Sequence, residues 1–327
     1  MARTLSLIVP TGAITLGNLL GAVQQWVADQ RGTDTLYGVA DLHALTMPHD
    51  PAAVRAATVE QAGLLLAAGL DPARCVIFVQ SHVPAHAELL WLLEATAYDG
   101  ELRRMIQYKQ KAADTESVRS SLLTYPVLQA ADVLLYDVAD VPVGEDQRQH
   151  IELARDLAIR FNRLYGQTFT VPRAVTPAVA ARLMDLQDPS AKMSKSAPPE
   201  AQGVIRLLDQ PDVVRRKIAR AVTDSGQRLE PGVTPGPGVA NLLTLLAACT
   251  GRTTEQAAAG ASSYRDLKAA CTEATLAVLT PLQERYATLA ADPREITAIL
   301  RDGAEQARGL AESTLARAKE AIGLLAP

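Results

Sequence analysis

The first half of the chain alternates short apolar runs with segments that have the hydrophobic spacing of helices. The apolar runs lie at residues 5–9, 35–40 and 76–79, and amphipathic segments follow the first two. Neighbouring parallel strands need a crossover connection, which is usually a helix. The alternation therefore predicts an α/β fold with a doubly wound parallel sheet.

The junctions between these segments carry start and stop signals. The first run leads through a Pro-Thr-Gly turn to a helical pattern that starts near Gly17. Asp50 and Pro51 are residue types that cap and open a helix, and Gly69 is typical of a helix end. The sequence thus predicts a strand–turn–helix start and a second, long helix that ends near Gly69.

The second half of the chain has a different pattern. After about residue 200 the strand-like runs fade, and alanine- and leucine-rich helical patterns replace them. The stretch from Pro231 to Pro237 is rich in proline and glycine and indicates a loop within or beside these helices. A chain of 327 residues is long enough for a nucleotide-sized α/β domain and a smaller α-helical unit.

Composition favours a soluble protein in a reducing cytoplasm. No apolar run is long enough to cross a bilayer, and the amino terminus lacks a basic-then-apolar pattern. Cys75, Cys249 and Cys271 are an odd number at irregular spacing, which fits neither a disulfide framework nor a zinc site. We therefore expect no membrane partner.

Net charge counts mildly against a nucleic-acid partner. The formal net charge is −4, whereas phosphate binding usually shows as a basic balance or a basic face. Basic clusters occur at residues 103–111 and 215–220, but such runs are usually solvated helix faces.

Residues 10–18 form a connection rich in small side chains between a predicted strand and a predicted helix. Backbone N–H groups and the helix dipole at such a place can hold a phosphate, and Gly17 allows a close approach of the backbone. Without further evidence, the pattern is equally typical of an ordinary tight connection.

A second segment, residues 192–196, places two lysines three positions apart in a polar loop bordered by prolines. Flexible lysine side chains suit the β- and γ-phosphates of ATP and the leaving pyrophosphate. Lysines in loops are ordinarily solvated, so the segment is informative only as its complete string, Lys192, Met193, Ser194, Lys195 and Ser196.

Together the two segments resemble the paired motifs of class I aminoacyl-tRNA synthetases. Thr15 stands where the first motif usually has a histidine, a variant seen among tryptophanyl enzymes. Residues 38–46, 130–136 and 141–147 resemble the tryptophanyl branch and differ from the tyrosyl branch. The resemblance runs nearly from end to end of the chain.

The resemblance implies a Rossmann-like catalytic domain over residues 1–200, with a helical insertion around 103–140 and the lysine loop at 192–196. An α-helical tRNA anticodon-binding domain would follow over residues 201–327. The implied activity is that of a tryptophan–tRNA ligase. Such an enzyme makes tryptophanyl-AMP and pyrophosphate from L-tryptophan and ATP, and then charges tRNA(Trp). Mg²⁺ bound through the ATP phosphates and a homodimer are also implied.

The resemblance assigns roles to individual residues. Lys192, Lys195 and Lys111 would be catalytic through the phosphates. The implied ATP contacts are Val9, Pro10, Thr11, Gly17, Asn18, Gly144, Glu145, Asp146, the backbone of Leu183, and Lys192, Met193, Ser194, Lys195 and Ser196. The implied tryptophan contacts are Tyr125 and Gln147 at the α-amino group, with His43, Gln129, Asp132, Val141 and Val143. No residue is implied as a metal ligand.

Asp132 has a physical reason for its assignment. An indole N–H only donates, so a selective pocket needs a buried acceptor. Asp132 stands in an apolar run, where a carboxylate needs a partner.

For three of the assigned residues a role outside ligand binding stays open. The alternatives are a helix-capping or structural carboxylate at Asp132, a structural histidine at His43, and a solvated lysine at Lys111.

Three positions depart from the family pattern. Leu7 and Val9 stand where glycine and a polar residue usually precede the proline, and Gln129 replaces a methionine. A glutamine brings polar atoms that need partners to a wall where methionine is apolar. We hypothesise that Gln129 alters discrimination among indole analogues or gives resistance to a tryptophan-mimicking inhibitor. The alternative is a side chain that points away from the ligand.

Two other functions remain open at this point. One is a tyrosyl or other nucleotidyl-transferring enzyme that shares the early motif. The other is a synthetase-like paralogue that has lost charging activity and binds RNA or protein as a regulator. The residues do not decide whether the protein is a housekeeping enzyme or a specialised second copy.

Overall fold

A computed structural model of the protein describes residues 3–113, 117–175, 182–223 and 234–325, apart from the side chain of Glu145. The central sheet has three parallel strands in the order β1 (Thr4–Ile8), β2 (Gly32–Val39) and β3 (Cys75–Val79). All three strands coincide with the predicted apolar runs, and each begins slightly earlier than predicted.

Successive side chains of these strands enter two different apolar cores. Leu36 and Phe78 belong to one core, whereas Tyr37 and Ile77 belong to the other. Because neighbouring side chains of a strand point to opposite faces, both faces of the sheet are covered. The predicted α/β class with a doubly wound parallel sheet is confirmed.

The helices between the strands begin where the sequence signals predict. Between β1 and β2 lie α1 (Leu16–Asn18), a π-helical turn (Leu19–Val23) and α2 (Gln24–Ala28), so the predicted helix is interrupted. Between β2 and β3 lies α3 (Pro51–Ala68). Asp50 accepts from the N–H groups of Ala52 and Ala53, and Gly69 ends the helix with a φ of +115°.

The chain then forms a helical segment and a second, short parallel pair. The elements are α4 (Ala85–Glu94), α5 (Asp99–Leu102), α6 (Ile106–Ala113), α7 (Ser120–Leu134), β4 (Asp140–Pro142), α8 (Glu145–Tyr165) and β5 (Arg173–Val175). β4 pairs with β5. The insertion expected around residues 103–140 covers α6 and α7, and its separateness stays a prediction.

The described residues after β5 form no further strand. They form α9 (Pro211–Ala219), α10 (Pro237–Thr250), α11 (Thr254–Ala259), α12 (Tyr264–Ala291) and α13 (Pro293–Ile322). Pro237 opens α10, so the loop expected up to this residue ends earlier. Residues 231–233 lie outside the described residues.

The helices of the second half pack directly on the sheet. A Cβ at Gly303 of α13 would come within 1.9 Å of Ile77 O in β3. Each apolar core includes residues from before and after residue 200, such as Leu300 in one and Leu315 in the other. The domain boundary at residue 200 stays a prediction. No helix in the described parts of the chain is long and apolar enough to cross a membrane.

Candidate active site

Two predicted site residues and one glutamine that was not predicted lie where the three parallel strands end. Val9 directly follows β1, His43 lies in the 3₁₀ segment Leu42–Thr46 after β2, and Gln80 begins the 3₁₀ segment Gln80–His82 after β3. In open parallel sheets, ligands bind outside the carboxyl ends of the strands. This edge is therefore the candidate active site.

The lysine loop packs on the turn that follows β1. Gly12 has a φ of +68°, and a Cβ there would come within 2.2 Å of Lys195 O. Lys195 Nζ donates to Val9 O and, at 2.9 Å, to Gln61 Oε1. Gln61 Nε2 donates to Gly12 O at 3.0 Å. The two motif segments are thus in direct contact.

Neutral oxygen atoms accept the hydrogen bonds of the Lys195 ammonium. The residue is half-buried, but its ammonium end is enclosed, and this burial lowers the pKa of Lys195 to about 7. A nearby negative charge favours the protonated form of a lysine. Binding of a phosphate beside Lys195 and protonation of Lys195 would therefore be coupled.

The first turn of α1 lies against the same loop. A Cβ at Gly17 would contact Met193 Cβ at 3.6 Å and Leu183 Cβ at 3.7 Å. Met193 is buried and its N–H donates to Leu183 O at 3.1 Å. The Leu183 carbonyl therefore has a partner in the lysine loop, and its contact with adenine stays a prediction.

The remaining residues of these segments have the following positions. Thr15 and Asn18 cap α1 reciprocally, with Asn18 N 3.2 Å from Thr15 Oγ1. Lys192 is exposed and pairs with Met184 in an isolated bridge. Ser194 Oγ and Ser196 Oγ lie 2.9 Å apart, while Pro10 is buried and Thr11 is exposed.

Asp132 is buried in α7 and has hydrogen-bond partners on both carboxylate oxygens. Oδ1 accepts from Gln80 Nε2 and from His86 Nδ1, each at 2.6 Å. Oδ2 lies 2.8 Å from His43 Nε2. Burial alone would raise the pKa of Asp132, but the hydrogen bonds of His43 and His86 hold this pKa well below its usual range. The carboxylate is ionised and caps no helix.

Tyr125 joins several polar side chains next to Asp132. Its hydroxyl donates to Gln107 Oε1 at 3.2 Å and lies 3.0 Å from His150 Nε2. The ring meets the edge of the His43 ring at a centroid distance of 6.3 Å, and Lys111 Nζ lies 5.2 Å from the Tyr125 ring centroid. Burial lowers the pKa of Lys111. Lys111 is exposed but lies close to the Tyr125 ring, and its role at the phosphates stays a prediction.

His150 is a buried, neutral member of the same group. Burial, with the nearby charge of Lys111, lowers the pKa of His150 to about 4. Its Nδ1 has no hydrogen-bond partner among the residues that the structure describes.

Gln129 contacts another predicted ligand residue. Gln129 Nε2 donates to Gln147 Oε1 at a long 3.3 Å, and Gln147 Nε2 donates to Asp146 Oδ2 at 3.0 Å. Gln107 Nε2 donates to Asp146 O at 2.9 Å. Gln129 therefore contacts the amide expected at the α-amino group, and its contact with a ligand stays a prediction.

The residues around the start of α8 complete the set. Gly144 is the N-cap of α8, and a Cβ there would lie 2.8 Å from Asp146 Oδ1. Val141 is buried, and Val143 N–H donates to Val175 O at 3.2 Å. Glu145 is the first residue of α8, and its side chain lies outside the description.

Five site residues were missed in the sequence: Gln61, Gln80, Gln107, His86 and His150. Gln80 had a usable signal, because it is a polar residue directly after an apolar run. The other four lie within helices. Their residue types alone do not show which side chains they meet.

The chain matches the family described as tRNA synthetases class I (W and Y) over residues 2–287. It is 55% identical to tryptophan–tRNA ligase 1 of Streptomyces coelicolor, covering 100% of this chain and 98% of the relative. Tryptophanyl-tRNA synthetase from Mycoplasma pneumoniae has a similar structure, with a TM-score of 0.90, 36% identity and coverage of 99% and 98%. Tryptophanyl-tRNA synthetase from Campylobacter jejuni, complexed with ADP and tryptophan, has a TM-score of 0.84 at 31% identity. The match covers 98% of this chain and 100% of that chain.

Proposed function

Because the chain belongs to the class I tRNA synthetases of the tryptophan and tyrosine type, we propose that it acts as a tryptophan–tRNA ligase. It activates L-tryptophan with ATP, releases pyrophosphate, and transfers tryptophan to tRNA(Trp). The observation that carries the choice of amino acid is the buried, ionised Asp132, which is an acceptor suited to the indole N–H. The full-length relatives named for tryptophan support it.

ATP is assigned to the contact between the β1 turn and the lysine loop. Lys195 and Lys192 would hold the β- and γ-phosphates, and Lys111 would reach the phosphates from the Tyr125 side. The helix start at Gly17 and Asn18 would contribute the end of the helix dipole that favours negative charge. The Asn18 N–H itself donates to Thr15 Oγ1. The contacts of Lys195 with neutral acceptors support this assignment, because a triphosphate is a stronger partner for an ammonium.

Mg²⁺ is assigned to the ATP phosphates. The described residues contain no group of three or more His, Cys, Asp or Glu side chains that could hold a metal ion together. Phosphate oxygens are favoured Mg²⁺ ligands, and the ion usually keeps several waters. Bound in this way, it would neutralise charge on the leaving pyrophosphate.

Tryptophan is assigned to the group around Asp132 and Tyr125. The indole N–H would donate to Asp132 Oδ2, next to His43. The α-ammonium would lie near Tyr125 OH and Gln147, with Val141 and Val143 as apolar wall. A site that satisfies an N–H donor rejects an analogue that lacks it by about 10⁴–10⁵, because the acceptor is left unpaired.

The first step needs no protein nucleophile. A carboxylate oxygen of tryptophan forms a bond to the α-phosphorus of ATP, and the bond from this phosphorus to the bridging oxygen breaks. Pyrophosphate leaves with the electron pair. The protein contributes positioning and electrostatic stabilisation of the phosphate charge, through Lys192, Lys195 and Lys111. A ribose hydroxyl of the terminal adenosine of tRNA then takes the acyl group, and AMP leaves.

The proposal extends to the assembly and the location. Residues 201–327 would bind the anticodon part of tRNA(Trp), the protein would be a homodimer bridged by tRNA, and it would act in the cytoplasm. Gln129 would line the indole pocket, where its contact with Gln147 makes the wall more polar than a methionine would.

Amino-acid-dependent exchange of pyrophosphate into ATP tests the proposal. We expect exchange with tryptophan and little with tyrosine, followed by charging of tRNA(Trp). Exchange with tyrosine would favour a tyrosyl enzyme. Exchange with neither amino acid would favour the non-catalytic paralogue that binds RNA or protein. A chelator should abolish exchange if Mg²⁺ enters with ATP.

A further inference from the structure

We propose that His86 is a positioning residue for tryptophan selection, because His86 and Tyr136 hold the Asp132 carboxylate in the orientation that an indole N–H would meet. This inference rests on the proposed function, in which Asp132 accepts that N–H. His86 lies in α4, is fully buried and is 46 positions from Asp132 in the chain.

The imidazole of His86 connects a phenol to the carboxylate. Nδ1 lies 2.6 Å from Asp132 Oδ1, and Nε2 lies 2.8 Å from Tyr136 OH. An ionised carboxylate only accepts hydrogen bonds, so Nδ1 carries a proton in this contact. Burial raises the pKa of Tyr136, so the phenol keeps its proton. The hydrogen bond between His86 Nε2 and Tyr136 OH can run in either direction, because Nε2 accepts in a neutral ring with its proton on Nδ1 and donates in a protonated ring.

Packing restricts the orientation of the imidazole. The Phe78 ring of β3 stacks on it at a centroid distance of 5.9 Å, and the Tyr136 ring lies at 5.5 Å. All three side chains are fully buried. Because protein interiors are close-packed, the His86 ring has little room to turn.

The two oxygens of Asp132 have different surroundings. Oδ1 accepts from both His86 and Gln80 at 2.6 Å, which occupies its two lone pairs. Oδ2 lies 2.8 Å from His43, whose ring borders Tyr125. A lone pair for the substrate therefore remains on Oδ2, on the side of the predicted pocket. Loss of the His86 donor would let the carboxylate rotate, so that Oδ2 would no longer be held facing the predicted pocket.

The test compares tryptophan with β-(3-benzothienyl)-L-alanine, which has sulfur in place of the indole N–H. The measurement is kcat/KM for pyrophosphate exchange with each amino acid, and the result is the ratio of the two values. Hydrogen bonding through Asp132 affects this ratio, whereas a general loss of folded enzyme lowers both values equally.

Two matched variants separate positioning from packing. In His86→Asn the amide N–H can occupy the place of Nδ1, whereas in His86→Gln it is closer to the place of Nε2. We expect His86→Gln to lower the ratio by about tenfold or more, since a hydrogen bond to a charged group is lost, and His86→Asn to stay within about threefold of the parent. Tyr136→Phe should lower the ratio less than His86→Gln.

Several results would overturn the inference. One is a His86→Gln variant with the parent's ratio, even if both kcat/KM values fall, since His86 would then only support the fold. Another is a His86→Asn variant in which the ratio of the two kcat/KM values falls as far as it does in His86→Gln. A parent that exchanges with tryptophan but does not reject the benzothienyl analogue would overturn both this inference and the role of Asp132. A parent that exchanges with neither amino acid would instead overturn the proposed activity.

Discussion

The proposed indole side and the proposed phosphate side of the site differ in how their charged groups are held. On the indole side, the ionised Asp132 has three donors within 2.8 Å. On the phosphate side, the Lys195 ammonium has neutral acceptors and a pKa lowered by burial to about 7. If the proposed assignments hold, the first arrangement is ready for its ligand before binding, whereas Lys195 would gain a charged partner when ATP binds. The two sides therefore differ in whether the protein itself supplies the charged group with charge-complementary hydrogen-bond partners.

The largest effect is expected from Lys195→Ala. Removal of one contact to developing charge typically costs about 10²–10³ in rate. We expect adenylate formation to slow by this factor while tryptophan affinity changes little, as measured by single-turnover kinetics and equilibrium binding. Lys319→Ala, at an exposed ion pair with Glu88, is a control that should not change the rate. An equal loss of tryptophan affinity would contradict the separation of the two sides.

Asp132→Asn tests the indole side. The amide keeps the shape but removes the charge and turns one acceptor into a donor. Hydrogen bonds to charged groups contribute about 1.5–3 kcal/mol, so kcat/KM for tryptophan should fall by roughly 10- to 100-fold. The KM for ATP should stay close to that of the parent. The control is Asp140→Asn, at an exposed pair with Arg173. A parallel rise in the KM for ATP would show that the two sides are not independent.

Gln61→Glu strengthens the contact of Lys195 that ATP would replace in the proposed function. A carboxylate beside Lys195 would form a charge-assisted hydrogen bond and lose the donor to Gly12 O. We expect the KM for ATP to rise by about tenfold, with the KM for tryptophan unchanged. Gln61→Met removes both hydrogen bonds without adding charge and serves as the comparison. An ATP KM that rises equally in both variants would mean that Gln61 only supports the turn.

The KM for ATP should depend on pH through the titration of Lys195, and this effect should be smaller than that of Gln61→Glu. Its pKa of about 7 lies below that of free lysine, so the neutral form populates the ligand-free site as the pH rises above this value. Phosphate binds the protonated form, so the KM for ATP should increase several-fold from about pH 7 to about pH 8, at most tenfold per pH unit for one proton. Lys195→Arg keeps its charge and should flatten the profile. A parent profile already flat over this range would argue against the lowered pKa.

The smallest effect is expected from Gln129→Met. The hydrogen bond from Gln129 to Gln147 is long, at 3.3 Å, so tryptophan kinetics should change by no more than about threefold. Inhibition constants for polar indole analogues and for a tryptophan-mimicking inhibitor should change more. Identical constants for the parent and the variant with every analogue would remove any role of Gln129 in selectivity.

Much of the fold and part of the site follow from local sequence patterns. The three parallel strands, the Asp50 cap and the Gly69 helix end appear in the structure at or near the predicted positions, because alternation and capping depend on a few neighbouring residues. The π-helical turn after Asn18 was missed, since no local signal distinguishes it from an α-helix in this sequence. Asp132 was assigned through the family resemblance, and its place in an apolar run supported the assignment because a buried carboxylate needs a partner.

The sequence alone determined which chemical groups the protein possesses and that two of its segments, residues 10–18 and 192–196, have the features of a nucleotide site. Only the tertiary structure decided that Lys195 rests on Gln61, 134 positions away, and that Asp132 receives hydrogen bonds from His43 and His86. These partners come from different helices and loops, and their meeting depends on how α3, α4 and α7 pack around the sheet. Side-chain chemistry is a local property, but the partner of a buried polar group is a property of the packed interior.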